Sequence, residues 1–162
     1  MDRARRSMLL GSSTIAALAV AGLASRGHAE TSTMTPRERV DGIGGLFFRS
    51  RDPKTLAQWY SQNLGIDPIP TDYEHESWHQ SAGPTAFAPF AMNTNYFGRP
   101  EQSWMVNFRV KNLDAMVSQL RSDGITVNVD SQNYPNGRFA HLHDPEGNPI
   151  ELWEPAGRDR GR

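Results

Sequence analysis

The run Phe139-Ala140-His141-Leu142-His143-Asp144-Pro145-Glu146-Gly147-Asn148-Pro149-Ile150-Glu151-Leu152-Trp153-Glu154-Pro155 decides how this chain is read. Two apolar runs flank Asp144-Pro145-Glu146-Gly147-Asn148. Proline presets φ, glycine supplies a positive φ and asparagine tolerates one, so the pentapeptide predicts a tight turn between antiparallel strands. Side chains alternate along a strand, so Ile150 and Leu152 share one face of the returning strand and Glu151 with Trp153 the other. The same period places His141 and His143 together on the incoming strand, opposite Ala140 and Leu142. If the two polar faces coincide, a carboxylate and two imidazoles look into one space.

Outward from this hairpin, the chain divides into a leader and a domain. Residues 1–29 of the 162 have a basic start (Arg3, Arg5, Arg6), an apolar stretch from Met8 to about Leu23, and small residues in Gly27-His28-Ala29. This is the three-part pattern of an export signal. Arg5-Arg6 before Ser7-Met8-Leu9 resembles the twin-arginine type, which carries folded proteins across a bacterial inner membrane. The expected location is periplasmic or secreted. Residues 30–39 read as a polar linker, 40–155 as one domain and 156–162 as a C-terminal tail.

Removing Arg3, Arg5, Arg6, Arg26 and Asp2 from 17 basic and 18 acidic side chains leaves 13 and 17, a net charge of −4. Such a balance offers no basic field for nucleic acid. The chain has no cysteine, which excludes disulfides, thiolate metal sites and a cysteine nucleophile.

Within the domain, Ile43 to Ser50 reads as a strand entered through glycines, and Asp52-Pro53 as a helix N-cap with proline at the first helical position. Leu56, Trp59 and Tyr60 form the apolar stripe of that helix, and Asn63-Leu64-Gly65 stops it. Ile66 to Thr71, Ser77 to Ser81 and Thr85 to Met92 suggest two or three short antiparallel strands. The opening pattern then returns. Met105 to Asn112 is a strand ending in an N-cap, Leu113, Met116, Val117 and Leu120 mark a second helix, and Gly124 ends it. Sliding the sequence by 60 residues sets Phe48 on Phe108, Arg49 on Arg109, Arg51 on Lys111 and Asp52 on Asn112. The chain therefore reads as a duplicated strand–helix–strands unit.

One helix covers one face of a small sheet, so the other face must meet a partner. Two such units curling their open faces together enclose a cup. Parity assigns Gly45, Phe47 and Arg49 to the cup from the first strand, and Met105, Asn107 and Arg109 from its repeat.

The paired units FFRSRDPKTLAQWYSQNLGI and NFRVKNLDAMVSQLRSDGI, with the terminal FAHLHDPEGNPIELWEP, make the chain resemble the vicinal oxygen chelate superfamily. That superfamily contains glyoxalases, bleomycin- and fosfomycin-resistance proteins and extradiol dioxygenases. The resemblance covers Val40 to Pro155 and implies an α+β fold, two tandem βαβββ modules forming a glyoxalase-like cup. Metal-binding members take ligands from the first and last strands of each module. Those positions fall here on Gly45 and Met105, which are not ligands, on the region Thr85 to Ala88, which has no carboxylate or imidazole, and on Glu151, which is competent.

Two functional classes stay open. One is a binding protein of the antibiotic-resistance kind, taking a small polar organic molecule in the cup, with Phe47, Arg49, Met105, Asn107, Arg109, His143 and Trp153 as lining residues. The other is a metal-dependent or metal-free lyase, isomerase or dioxygenase in which Glu151 and His141 are the acid–base pair. A relocated divalent-metal site of Glu151 with His141 and His143 is a variant of the second class. A homodimer that pairs modules across chains is compatible with both.

Overall fold

The computed structural model describes residues 37–160. The proposed leader and most of the linker lie outside them. The chain divides between Gly44 and Gly45, and the described residues before that point, 37–44, form no helix or strand.

The remainder is an α+β fold with two helices and a four-stranded sheet. Helix α1 spans Pro53–Leu64, strand β1 Val106–Arg109, helix α2 Leu113–Ser122, strand β2 Asn128–Val129, strand β3 Gly137–His143 and strand β4 Pro149–Pro155. A short 3₁₀ turn, Gly157–Asp159, follows. The strand order is β1-β4-β3-β2, with β1 parallel to β4 and the other neighbours antiparallel. The second repeat is thus a complete βαβββ unit.

Both helices begin as the caps dictate. Asp52 accepts from the Thr55 amide at 3.1 Å, Pro53 opens α1, and Gly65 closes it at φ +67°. Asn112 accepts from the Ala115 amide at 2.9 Å, and Glu154 on β4 takes the Leu113 amide at 2.7 Å, satisfying a second unpaired donor of α2. Arg138 on β3 binds both carboxylate oxygens of Asp114 and ties the sheet to the start of α2.

One face of the sheet is apolar. Ala140, Leu142, Ile150 and Leu152 are fully buried there against Leu113, Val117 and Leu120 of α2 and Leu56 and Tyr60 of α1. Burying each of the larger aliphatic side chains contributes about 1.5–3 kcal/mol. Both helices therefore share this sheet.

The hairpin turn is organised by the buried carboxylate of Asp144. It accepts from the Glu146 amide at 2.9 Å, the Asn148 amide at 2.9 Å, the Asn148 side chain at 2.7 Å and the Tyr60 hydroxyl at 3.0 Å. Gly147 sits at φ +83°, as the turn requires. Glu146 in turn accepts from the Ser50 hydroxyl at 2.8 Å, from the Asp52 amide at 2.9 Å and, on both oxygens, from the Arg51 amide. The turn is thereby clasped to the entrance of α1.

The first repeat departs from expectation. Among the described residues it supplies a helix and no strand. Proline explains much of this. Pro68 and Pro70 interrupt Ile66 to Thr71, and Pro89 interrupts Thr85 to Met92, each removing a donor a ladder needs. Local turns take other donors, because the Asp72 carboxylate binds the Glu74 and His75 amides, and turns close at Ala91–Thr94, Asn95–Gly98 and Arg99–Gln102. The segment 45–50 lies outside any ladder, with Phe47 89% exposed and only Phe48 packing on Trp104, centroids 4.7 Å apart.

Replacing Asp144 with alanine strands the Tyr60 hydroxyl and the turn amides. Asp144→Ala is expected to lower unfolding free energy by about 2–4 kcal/mol, read from the denaturant midpoint. An unchanged midpoint would contradict the role of this carboxylate.

Candidate functional site

The polar face of the sheet carries the functional cluster. Register aligns Asn107 on β1, Glu151 on β4, His141 on β3 and Asn128 on β2 in one row across all four strands. The next row holds Arg109, Trp153 and Phe139, with Asp130 just beyond β2 bonding to the Phe139 carbonyl through its amide. A slip of one residue would bury this row in the core, so the apolar alternation of β3 and β4 fixes the site.

Glu151 is the centre. Its side chain is 92% buried and accepts three hydrogen bonds: from the Asn107 amide group at 2.5 Å on one oxygen, and from the Tyr96 hydroxyl at 2.5 Å and His141 Nε2 at 2.9 Å on the other. His141 Nδ1 faces Asp130 at 3.4 Å, so the imidazole lies between two carboxylates. Tyr96 comes from the turn segment of the first repeat. Its ring stacks on Phe90, centroids 5.3 Å apart at 13°, and meets His141 edge-on at 6.0 Å. Alongside, Phe139 and Trp153 lie parallel with centroids 6.1 Å apart, and the Trp153 indole N–H donates to the Asn136 carbonyl at 2.8 Å.

The electrostatics follow from these contacts. Burial pushes the Glu151 carboxyl upward, but hydrogen bonds from His141, Tyr96 and Asn107 outweigh it and hold the group below its ordinary value. His141 is raised, chiefly by its hydrogen bond to Glu151 and against the opposing effect of burial. Burial, then the bond to Glu151, pushes the Tyr96 phenol well above its usual range, so it remains a protonated donor. The cluster is an ionised acceptor ringed by three donors.

The structure brings together Glu151, His141, Asn107, Arg109 and Trp153 as parity expects. Arg109 donates to the Ser81 carbonyl at 2.6 Å and anchors the 81–97 chain across the polar face. Met105 is half-buried just before β1. Phe47 and Arg49 are exposed and on no strand, so the parity that would have turned them toward the sheet does not operate. His143, opposite Pro149, is exposed and lines a shallow groove with Trp59, Asn128 and Asp144 rather than joining Glu151. Gly45 is exposed.

Tyr96, Phe90 and Asp130 were not foreseen. Asp130 has the parity of Asn128, which was the available signal. Tyr96 has no periodic signature, and only the concentration of Phe90, Tyr96 and Phe97 in a polar loop hints at it.

The donor set does not fit a divalent cation in this arrangement. Both oxygens of Glu151 face hydrogen-bond donors, Gly45 and Met105 offer no hard ligand, and among the described residues no three His, Asp or Glu side chains are placed to hold a metal.

The sequence profile of the glyoxalase-like domain family matches residues 45–153, so the chain belongs to that family, within the vicinal oxygen chelate superfamily. Among solved structures, TnmS3, an antibiotic binding protein from Streptomyces sp. CB03234, is 26% identical, aligned over 65% of this chain and 88% of its own with a TM-score of 0.42. A glyoxalase/bleomycin resistance protein from the same organism is 33% identical over 33% of this chain, with a TM-score of 0.29. The match spans 46% of that protein's length. No curated protein matches the chain significantly.

The pH dependence of stability reports on the central pair. The raised His141 contributes stability that is complete below its ordinary 6.5 and lost as pH rises through its higher folded value. The lowered Glu151 contributes above its ordinary 4.5 and loses that contribution as pH falls through its folded value. Urea unfolding of wild type and His141→Gln should therefore differ most between these two values, and the gap should narrow as pH rises beyond 6.5 through the higher folded value of His141. A gap independent of pH would contradict the pairing.

Proposed function

We propose that this is an exported small-molecule-binding protein of the glyoxalase and bleomycin-resistance kind, which holds a small polar organic molecule against the polar sheet face at Glu151 and His141. The observation that carries this reading is the buried, ionised Glu151 carboxylate, surrounded by donors and aromatic rings on a face whose other side is the core. Family membership supports it, and so does the donor set, which suits recognition of polar groups better than metal chemistry. Export rests on the leader-like pattern of residues 1–29.

Asn107, His141 and Glu151 supply hydrogen-bonding directionality, and Phe90 and Phe139 supply apolar contact. Glu151 is held ionised and is thus an acceptor for ligand O–H or N–H groups. His141, whose protonated form is favoured by its hydrogen bond to Glu151, keeps that carboxylate oriented.

Glu151→Gln separates binding from catalysis. For a molecule that co-purifies with the protein, the substitution should weaken binding by about tenfold or less, since the amide still accepts a hydrogen bond. Conversion of that molecule by the wild type, lost about 10²-fold or more in Glu151→Gln, would instead make Glu151 an acid–base catalyst. Protein purified without chelator should hold Fe, Mn, Ni and Zn far below one equivalent, and a stoichiometric metal would contradict the binding reading.

A further inference from the structure

Tyr96 stands apart from the other groups on Glu151. Asn107 and His141 are strand residues fixed by the ladder, whereas Tyr96 belongs to a turn with short-range backbone bonds. Its own amide donates to the Thr94 hydroxyl at 3.2 Å, and the turn closes from Gly98 to the Asn95 carbonyl at 3.0 Å, with Gly98 at φ +89°. The residue is 46% exposed although its hydroxyl reaches a buried carboxylate, and Phe90, stacked on it, is 47% exposed. The ring therefore lies over the polar face from outside. Withdrawing it would leave Glu151 with its Asn107 and His141 donors, one acceptor position open, and a slot the thickness of an aromatic ring beside Phe90 and the edge of His141.

We propose that the Tyr96 phenol is an internal occupant of the ligand site, and that the site takes a planar aromatic compound bearing a hydroxyl, which displaces Tyr96 and donates to Glu151 in its place. This rests on Glu151 and His141 being the binding site, and it names the ligand's chemistry. The carboxylate demands a donor, the planar slot demands a flat ring, and Tyr96 combines both. An anionic ring would meet Glu151 and Asp130, two carboxylates. A neutral aromatic hydroxyl avoids that repulsion and reproduces the donor that Tyr96 presents.

The competition gives a signature that an ordinary wall residue would not. Tyr96→Phe keeps the ring and its stacking on Phe90 but removes the hydroxyl that competes for Glu151, on an exposed turn where the change should leave the far-ultraviolet dichroism intact and lower the melting temperature only by the worth of that one hydrogen bond. The full chain, wild type and Tyr96→Phe, would be titrated at neutral pH with 2-naphthol, 2-methoxynaphthalene, 2-naphthoate and 2-naphthylmethylammonium, following ligand fluorescence and the ring resonances of His141. The variant is expected to bind 2-naphthol about tenfold more tightly than wild type, the worth of one competing hydrogen bond. 2-Methoxynaphthalene, with no donor for Glu151, should bind each protein about tenfold more weakly than 2-naphthol does.

Equal or weaker binding of 2-naphthol by Tyr96→Phe overturns the proposal, as does 2-methoxynaphthalene binding as tightly as 2-naphthol. If the ammonium or carboxylate probe shifts His141 while 2-naphthol does not, the aromatic-hydroxyl assignment fails and the binding site at Glu151 stands. If none of the four probes shifts His141 in either protein, the site assignment fails with it.

Discussion

The buried carboxylate of Asp144 is the contact on which the placement of the other functional groups depends. It gathers two turn amides, an asparagine side chain and the Tyr60 hydroxyl, joining the β3–β4 turn to helix α1. A charged group this buried is tolerable only because it is surrounded by donors. Once the turn is fixed, the two strands can pair in a single register, with His141 opposite Glu151 and Leu142 opposite Ile150. Glu146 adds a second tie between the turn and the α1 entrance through the Ser50 hydroxyl and two backbone amides. The hairpin is thus held by the first repeat while it positions the site of the second.

The same register separates the two faces of the sheet. Ala140, Leu142, Ile150 and Leu152 close the core under both helices, and the alternate positions put an imidazole, a carboxylate and a carboxamide in one row. Glu151 remains ionised at low exposure because three donors offset its desolvation. An ionised acceptor of this kind binds donors and orients them. Tyr96, Asn107 and His141 take three of its acceptor positions, and Tyr96 is the one donor not held by the ladder.

The hairpin, both helices, their caps and the second βαβββ unit were legible in the sequence because each depends on local chemistry: a Pro-Glu-Gly-Asn turn, Asp52 and Asn112 as caps, and alternation on β3 and β4. Parity set His141 and Glu151 across the hairpin and Asn107 on the open face, but the Asn107–Glu151 contact depends on β1 lying beside β4, a long-range pairing that parity does not give. The first repeat was not legible to the same degree. Its apolar runs have strand composition, but Pro68, Pro70 and Pro89 remove donors and the turns at 91–102 sequester others, so composition and pairing disagree. Parity then misplaced Phe47 and Arg49, since it holds only within a strand. Tyr96 escaped notice because its role arises from a contact 55 residues away in sequence, which no local pattern encodes.

A crystal structure of the protein with a molecule that co-purifies with it tests the central claim most directly. The account predicts that molecule on the polar sheet face, with a donor within hydrogen-bond distance of the Glu151 carboxylate and beside the His141 ring. Finding it instead in the groove lined by Trp59 and His143, with Glu151 untouched, would contradict the account.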